Sequence, residues 1–214
     1  MFTGIIEEIG TVQSIKEQRN AAQMEIKAKR ILEDVQVGDS IAVNGICLTV
    51  TNFEQEKFSV DVMPETIKVT NLIDLKVGST VNLERSMSAN GRFGGHFVSG
   101  HIDGVGQIIE RRPESNAIYY RVKVNPSLSN LMIEKGSIAV DGTSLTIFDV
   151  EKDSFLVSII PHTASETIIG QKREGDRVNI ECDMLAKYVH RFTEQHGEKG
   201  MTFDWLNQQG ILNK

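Results

Sequence analysis

The sequence is short of cysteine, of positive charge and of long apolar runs. Two cysteines in 214 residues, Cys47 and Cys182, make no disulfide framework and have no metal-ligand spacing. Five histidines supply no H-x-x-x-H pair on a helix-like stretch, so no metal centre is expected. Lysine and arginine number 23 against 29 acidic residues, a net charge of −6. Such a chain lacks the basic face that neutralises phosphates, which excludes a non-specific nucleic-acid binder. No uncharged apolar run approaches the ~18 residues of a membrane span. The opening Met1-Phe2-Thr3-Gly4-Ile5-Ile6-Glu7-Glu8 has neither a basic leader nor an apolar stretch, so no membrane partner and a cytoplasmic location are expected.

What is there is written twice. Ile41-Ala42-Val43-Asn44-Gly45-Ile46-Cys47-Leu48-Thr49-Val50 returns as Ile138-Ala139-Val140-Asp141-Gly142-Thr143-Ser144-Leu145-Thr146-Ile147, with six of ten positions identical. Gly4, Ile6 and Gly10 match Gly100, Ile102 and Gly106; Phe58, Val60, Pro64 and Thr66 match Phe155, Val157, Pro161 and Thr163. Asn82 and Glu84 match Asn179 and Glu181. A period near one hundred residues is too long for a solenoid unit and suits a whole small domain. The mismatches fall on polar and reactive positions: Asn44/Asp141, Cys47/Ser144, Ile5/His101, Glu65/His162 and, across a one-residue shift, Gly38/Lys135. Drift in loops would produce this, and so would two like pockets given different chemical roles.

Within each copy, short β-branched or alternating runs are punctuated by turn residues, the pattern of a barrel or sandwich. In the first copy the runs are Gly4 to Val12, Met24 to Ala28, Ser40 to Val43, Cys47 to Phe53, Lys57 to Val62 and Thr80 to Leu83. Six runs per copy predict a small closed barrel, since closure removes exposed edges. Short helices are predicted at Pro64 to Leu72 and His162 to Ile169. After Asp183 the period becomes helical, with Leu185, Tyr188, Val189 and Phe192 on one face. That face can pack on its own barrel or on other copies of the chain. A second short helix is predicted at Met201 to Gln209. The chain divides as 1–96, 97–193 and a helical tail over 194–214.

The turns at Asn44-Gly45 and Asp141-Gly142 deliver a thiol or hydroxyl and then, two residues on, Thr49 or Thr146 to one strand face. That face suits hydrogen bonding to a flat heterocycle or a nucleophile, but no G-x-S-x-G elbow accompanies it. His101 sits among glycines, where exposure and proton transfer are both open to it. The stretch Gly91-Arg92-Phe93-Gly94-Gly95 lacks the ending of a phosphate loop.

Together these segments resemble the riboflavin synthase family of the alpha-chain, lumazine-binding-repeat type. The resemblance rests on Met1 to Glu7, Asn44 to Val50, Gly94 to Gly104 and Asp141 to Thr146, and covers essentially the whole chain. It implies an all-β protein: two tandem six-stranded antiparallel Greek-key barrels with short helices and a C-terminal α-helix, through which three chains form a homotrimer. The implied reaction converts two molecules of 6,7-dimethyl-8-ribityllumazine into riboflavin and 5-amino-6-ribitylamino-uracil without a cofactor, and an association with lumazine synthase is open. Carried over by motif, one pocket takes Gly4, Ile5, Ile6, Cys47, Leu48, Thr49, Asp61, Val62, Met63, Pro64, Glu65 and Thr66. The other takes Gly100, His101, Ile102, Lys135, Ser144, Leu145, Thr146, Ser158, Ile159, Ile160, Pro161, His162 and Thr163. The expected roles are Ser144 and Cys47 polarising or adding to a ring carbon, and His101 and Thr146 moving protons at a methyl group. Asp141 with Lys135 would stabilise charge, and Phe2 would cover a ring. A non-catalytic lumazine or flavin carrier is the other family-level reading.

Overall fold

The computed structural model describes residues 1–18 and 21–197; the helix predicted at Met201 to Gln209 lies outside them. The first barrel is built from β1 (Glu8–Gln18), β2 (Ala21–Lys27), β3 (Ser40–Val43), β4 (Ile46–Glu54), β5 (Lys57–Val62) and β6 (Thr80–Arg85). The second repeats it with β7 (Gly104–Glu114), β8 (Ala117–Lys123), β9 (Ser137–Val140), β10 (Thr143–Val150), β11 (Ser154–Ile159) and β12 (Arg177–Cys182). Both close in the order first, second, fifth, fourth, third, sixth, with antiparallel pairing throughout. A helix follows the fifth strand of each, α1 (Pro64–Val69) in the first barrel and, after the short α2 (Pro126–Ser129), α3 (Pro161–Glu166) in the second. Helix α4 (Met184–Gly197) ends the described chain.

Period-two alternation sorts side chains between core and surface. Along β4, Ile46, Leu48 and Val50 are buried while Cys47 and Thr49 face outward; along β10, Leu145 and Ile147 are buried while Ser144 and Thr146 face outward. The cores are separate, one around Met24, Ile26, Phe58 and Leu83, the other around Ile108, Tyr120, Phe155 and Ile180. Tyr120 can lie fully buried because its hydroxyl donates to the Ile169 carbonyl at 2.8 Å.

Two predicted elements come out shorter. The first strand begins at Glu8 and not at Gly4, because Thr3 and Gly4 are drawn away to a buried carboxylate. The helix predicted over Pro64 to Leu72 breaks at Thr70, which is extended (φ −128°, ψ 171°) and returns its hydroxyl to the Thr66 carbonyl, with a 3-10 turn after it. Thr167 does the same to Thr163 in the second barrel. Helix α4 starts where predicted, capped by Asp183 Oδ1 on the Leu185 N–H and tied down by Lys187 to Asp103 at 2.6 Å. Its apolar face does not fold back: Leu185, Tyr188, Val189 and Phe192 remain about 60% exposed.

The barrels meet on a local two-fold axis. Asn44 and Asp141 both adopt positive φ (48° and 44°), each followed by a positive-φ glycine, giving the two-residue hairpin turn that matches strand twist. The two tips touch: a Cβ on Gly45 would lie 2.7 Å from the Gly142 nitrogen, and the reverse contact is the same. Asn82 Nδ2 donates to the Asp141 carbonyl (2.8 Å) and its Oδ1 accepts from Ile168 N–H (2.8 Å). Asn179 mirrors this, donating to the Asn44 carbonyl (3.0 Å) and accepting from Asn71 N–H (2.7 Å).

Candidate functional site

Each barrel presents its short polar pair on an outer face, and each pair is reached by a strap from the other half of the repeat. Cys47 is half-buried and Thr49 exposed on β4; Ser144 is half-buried and Thr146 exposed on β10. The Gly100 carbonyl accepts from Cys47 N–H at 2.9 Å, and the Gly4 carbonyl accepts from Ser144 N–H at 2.8 Å. Both glycines have positive φ (+84° and +76°), and a Cβ would fall 2.5 Å from the Cys47 Cβ or 2.6 Å from the Ser144 Cβ. Only glycine fits on both grounds.

The straps are clamped by matched carboxylates. Glu84 in the first barrel accepts from Thr3 N–H (2.7 Å), Thr3 Oγ1 (2.8 Å) and Gly4 N–H (3.0 Å). Glu181 in the second accepts from Ser99 N–H (2.6 Å), Ser99 Oγ (2.7 Å) and Gly100 N–H (2.9 Å). Burial raises the Glu84 pKa, although the hydrogen bonds from Thr3 and Gly4 oppose the shift. Each glutamate thus holds a strap against the reactive residue of the opposite barrel.

This crossing corrects the motif-based grouping. Gly4 and Ile5 border Ser144, not Cys47, while Gly100 lies on Cys47 and Ile102 packs against the first barrel's core. His101, exposed between them, therefore belongs with Cys47. Leu48, Val62, Leu145 and Ile159 are core residues, at most 9% exposed, and can offer a ligand only backbone atoms. Asp61 and Met63, and on the other barrel Ser158 and Ile160, reach the outer face with Pro64, Glu65, Thr66, Pro161, His162 and Thr163 beside them at the starts of α1 and α3.

Three residues given chemical roles stand elsewhere. Asp141 is fully buried at the two-fold axis, accepting from Asn179 N–H (2.8 Å) and Asn71 Nδ2 (2.7 Å) with Lys172 Nζ 3.6 Å away. It cannot touch a ligand on the outer face, and burial holds its carboxyl above the usual range. Phe2 is also fully buried, packed with Ala42, Val98 and Ala139 behind Cys47, and covers no ring. Lys135 is the exposed equivalent of Gly38: its N–H bonds the Ile147 carbonyl (2.7 Å) as that of Gly38 bonds Val50 (2.9 Å), at the cost of a positive φ of 63°.

Sequence reasoning passed over His96. It is 7% exposed, its N–H donates to the Thr3 carbonyl (3.1 Å) and its Nδ1 lies 2.7 Å from Ser144 Oγ. Its burial lowers the imidazole pKa, against the pull of Asp183 and Glu181. The signal available in sequence was Gly95, which has to be glycine: a Cβ there would sit 2.1 Å from the Thr3 carbonyl oxygen and 2.9 Å from Ser144 Oγ. Phe93 and Phe97, ring centroids 4.5 Å apart and each 46% exposed, flank this segment, with Ile5 against Gly94. Chemically, the second barrel offers a hydroxyl with a buried imidazole beside apolar walls; the first offers a thiol with an exposed imidazole. Cys182 takes no part, its thiol buried and pushed up to about 12. Among the described residues no group of three or more His, Cys, Asp or Glu side chains could hold a metal ion.

The lumazine binding domain family matches the chain twice, over residues 3–86 and 99–183. Riboflavin synthase of Bacillus subtilis (strain 168) is 59% identical over 215 residues, covering 99% of this chain and all of that one. The chain belongs to the riboflavin synthase family. Riboflavin synthases of Actinobacillus pleuropneumoniae and Schizosaccharomyces pombe are 51% and 42% identical, with 99% and 97% of this chain covered and 100% and 99% of theirs. Among solved structures, LumP complexed with riboflavin is similar with a TM-score of 0.79 at 26% identity, over 85% of this chain and 99% of that one. LumP complexed with 6,7-dimethyl-8-(1'-D-ribityl) lumazine gives 0.76 at 25%, again over 85% of this chain and 98% of that one. No described helix is long and apolar enough to cross a membrane.

Proposed function

We propose that the chain catalyses the dismutation of two molecules of 6,7-dimethyl-8-ribityllumazine to riboflavin and 5-amino-6-ribitylamino-uracil, the final step of riboflavin biosynthesis. The observation that carries this reading is one polar pair built twice, Cys47 with Thr49 and Ser144 with Thr146, in a chain matching named riboflavin synthases from end to end. Two like outer faces suit two molecules of one substrate. The carrier reading is weaker, since the LumP likeness stops at 25–26% identity.

Holding two reactants in attack geometry supplies about 7–11 kcal/mol of barrier reduction. The reading needs no cofactor, because the substrate's C7 methyl group is itself acidic and its anion is delocalised into the ring. Ser144 and Cys47 polarise or add to ring carbons, and His101 and Thr146 move protons. The side chain of Lys135 stabilises charge without Asp141. His101 stands on the first barrel and Thr146 on the second, so the productive site joins the first barrel of one chain to the second barrel of its neighbour in a homotrimer. The exposed face Leu185, Tyr188, Val189 and Phe192 of α4 supports that assembly. Two unpaired thiols accord with a reducing, cytoplasmic setting. An association with lumazine synthase is the outermost part of the reading, and co-sedimentation with that enzyme checks it.

Incubating the purified chain with 6,7-dimethyl-8-ribityllumazine should yield riboflavin absorbance. Tight binding with no riboflavin formed would sink the enzyme reading in favour of a carrier. Sedimentation equilibrium should give three times the chain mass, and Leu185→Asp with Val189→Asp should reduce it to one.

A further inference from the structure

We propose that His96 is the positioning residue for Ser144: its neutral ring, protonated at Nε2, accepts the Ser144 hydroxyl proton at Nδ1 and so aims the oxygen lone pairs at the ligand. This rests on the proposed function for what Ser144 does, but the hydrogen bond itself does not depend on it.

The geometry is built, not incidental. Nδ1 and Oγ are 2.7 Å apart, and Nε2 is buried without a hydrogen-bond partner among the described residues. Three backbone constraints converge on that contact. Gly95 leaves no room for a side chain between Thr3 and Ser144; Thr3 accepts from His96 N–H at 3.1 Å; and Glu84 fixes Thr3 through its N–H and hydroxyl. A buried imidazole held by backbone on one side and by a single hydroxyl on the other has one available task, which is to handle that hydroxyl's proton. The charged groups acting on the ring are Glu181 from β12 and Asp183 ahead of α4, both anionic. They favour an N–H on the ring's far nitrogen, and burial keeps the ring neutral, which leaves Nδ1 as the acceptor.

The step balances without any other group. As Ser144 Oγ adds to a ring carbon, the C–O bond forms, the C=N electron pair moves to the ring nitrogen, and the hydroxyl proton passes to Nδ1. Collapse reverses each movement and returns the proton. No hydrogen bond joins an imidazole to Cys47 among the described residues, so this device separates the two sites.

Two measurements test it. Long-range 1H–15N spectra of the full chain should show His96 with Nε2 protonated and Nδ1 bare, and Ser144→Ala should shift Nδ1 alone. A ring protonated at Nδ1 overturns the proposal whether or not the chain turns over substrate. In the lumazine assay, His96→Asn keeps an acceptor near Nδ1 but cannot take the proton. It should lower kcat by about a hundredfold, with KM and Tm near wild type, and should add nothing in a Ser144→Ala background. A loss of less than twofold, or a full additional loss in that background, overturns it. Wild-type chain that forms no riboflavin would defeat the functional reading while leaving the spectroscopic result to decide this one.

Discussion

The two barrels have the same strand order, the same hairpin turn and the same clamped glycine strap, yet they do not carry the same chemistry. Around Cys47 the strap brings Gly100, an exposed His101 and the buried Phe2; around Ser144 it brings Gly4, the exposed Ile5 and, from the inter-barrel segment, a buried imidazole. The scaffold positions are those that must satisfy buried backbone groups, so they are held equal. The side chains that differ face outward, where a change leaves the barrel intact. Duplication here preserved the frame and released the faces.

Adding a methyl group to either strap is the most severe way to break the comparison. Gly100→Ala should disrupt the Cys47 face and Gly4→Ala the Ser144 face, each with a stability loss on the order of 3 kcal/mol from positive-φ strain and overpacking. Urea unfolding reads the loss, and substrate titration reads which face has gone; equal damage to both faces would refute the separation. Ser144→Ala should lower kcat about a hundredfold, while Cys47→Ser, which makes the two faces alike, should lower it about tenfold. Equal rates for the two variants would mean that the difference between the barrels has no catalytic weight.

Crossing can be tested apart from chemistry. Glu84→Gln and Glu181→Gln each leave strap donors facing an amide NH2, at roughly 1–3 kcal/mol. Glu84 lies in the first barrel, yet its variant should perturb the resonances of Ser144 and His96, and Glu181→Gln those of Cys47 and His101. Perturbation confined to the mutated barrel would remove the crossed arrangement.

The smallest effect concerns the axis. Asp141→Asn makes the two hairpin tips alike. Because burial raises the Asp141 pKa, the folded chain takes up that proton before the unfolded chain does as pH falls. Wild type should therefore gain stability relative to Asp141→Asn as pH falls from neutral towards the unfolded value of 3.8, and lose that gain as pH rises. Denaturant midpoints across that window give the sign, and a pH-independent difference would contradict it.

Much of the fold was legible because its causes are local. Alternation along Ile46 to Val50 and Thr143 to Ile147 fixes which side chains face the core, and Asn44-Gly45 and Asp141-Gly142 fix the turns through positive φ. The end of the first strand at Glu8 and the break at Thr70 were not legible, since each depends on a hydrogen bond made after folding. Reading Cys47, Thr49, Ser144 and Thr146 as one outward polar face per barrel needed only the repeat. Asp141 and Phe2 were misplaced for a common reason: sequence registers a polar or aromatic residue near a site motif but not the two-fold contact that buries it.

Sequence by itself determined two equal barrels, their turns, their outward polar pairs and the family. Tertiary structure decided which strap serves which barrel, and put an imidazole against Ser144. Strand period and turn chemistry act within a few residues. The partners of Gly4, Gly100 and His96 are set by buried carboxylates, carbonyls and glycine clearances that lie far apart in the chain and meet only when both barrels have closed.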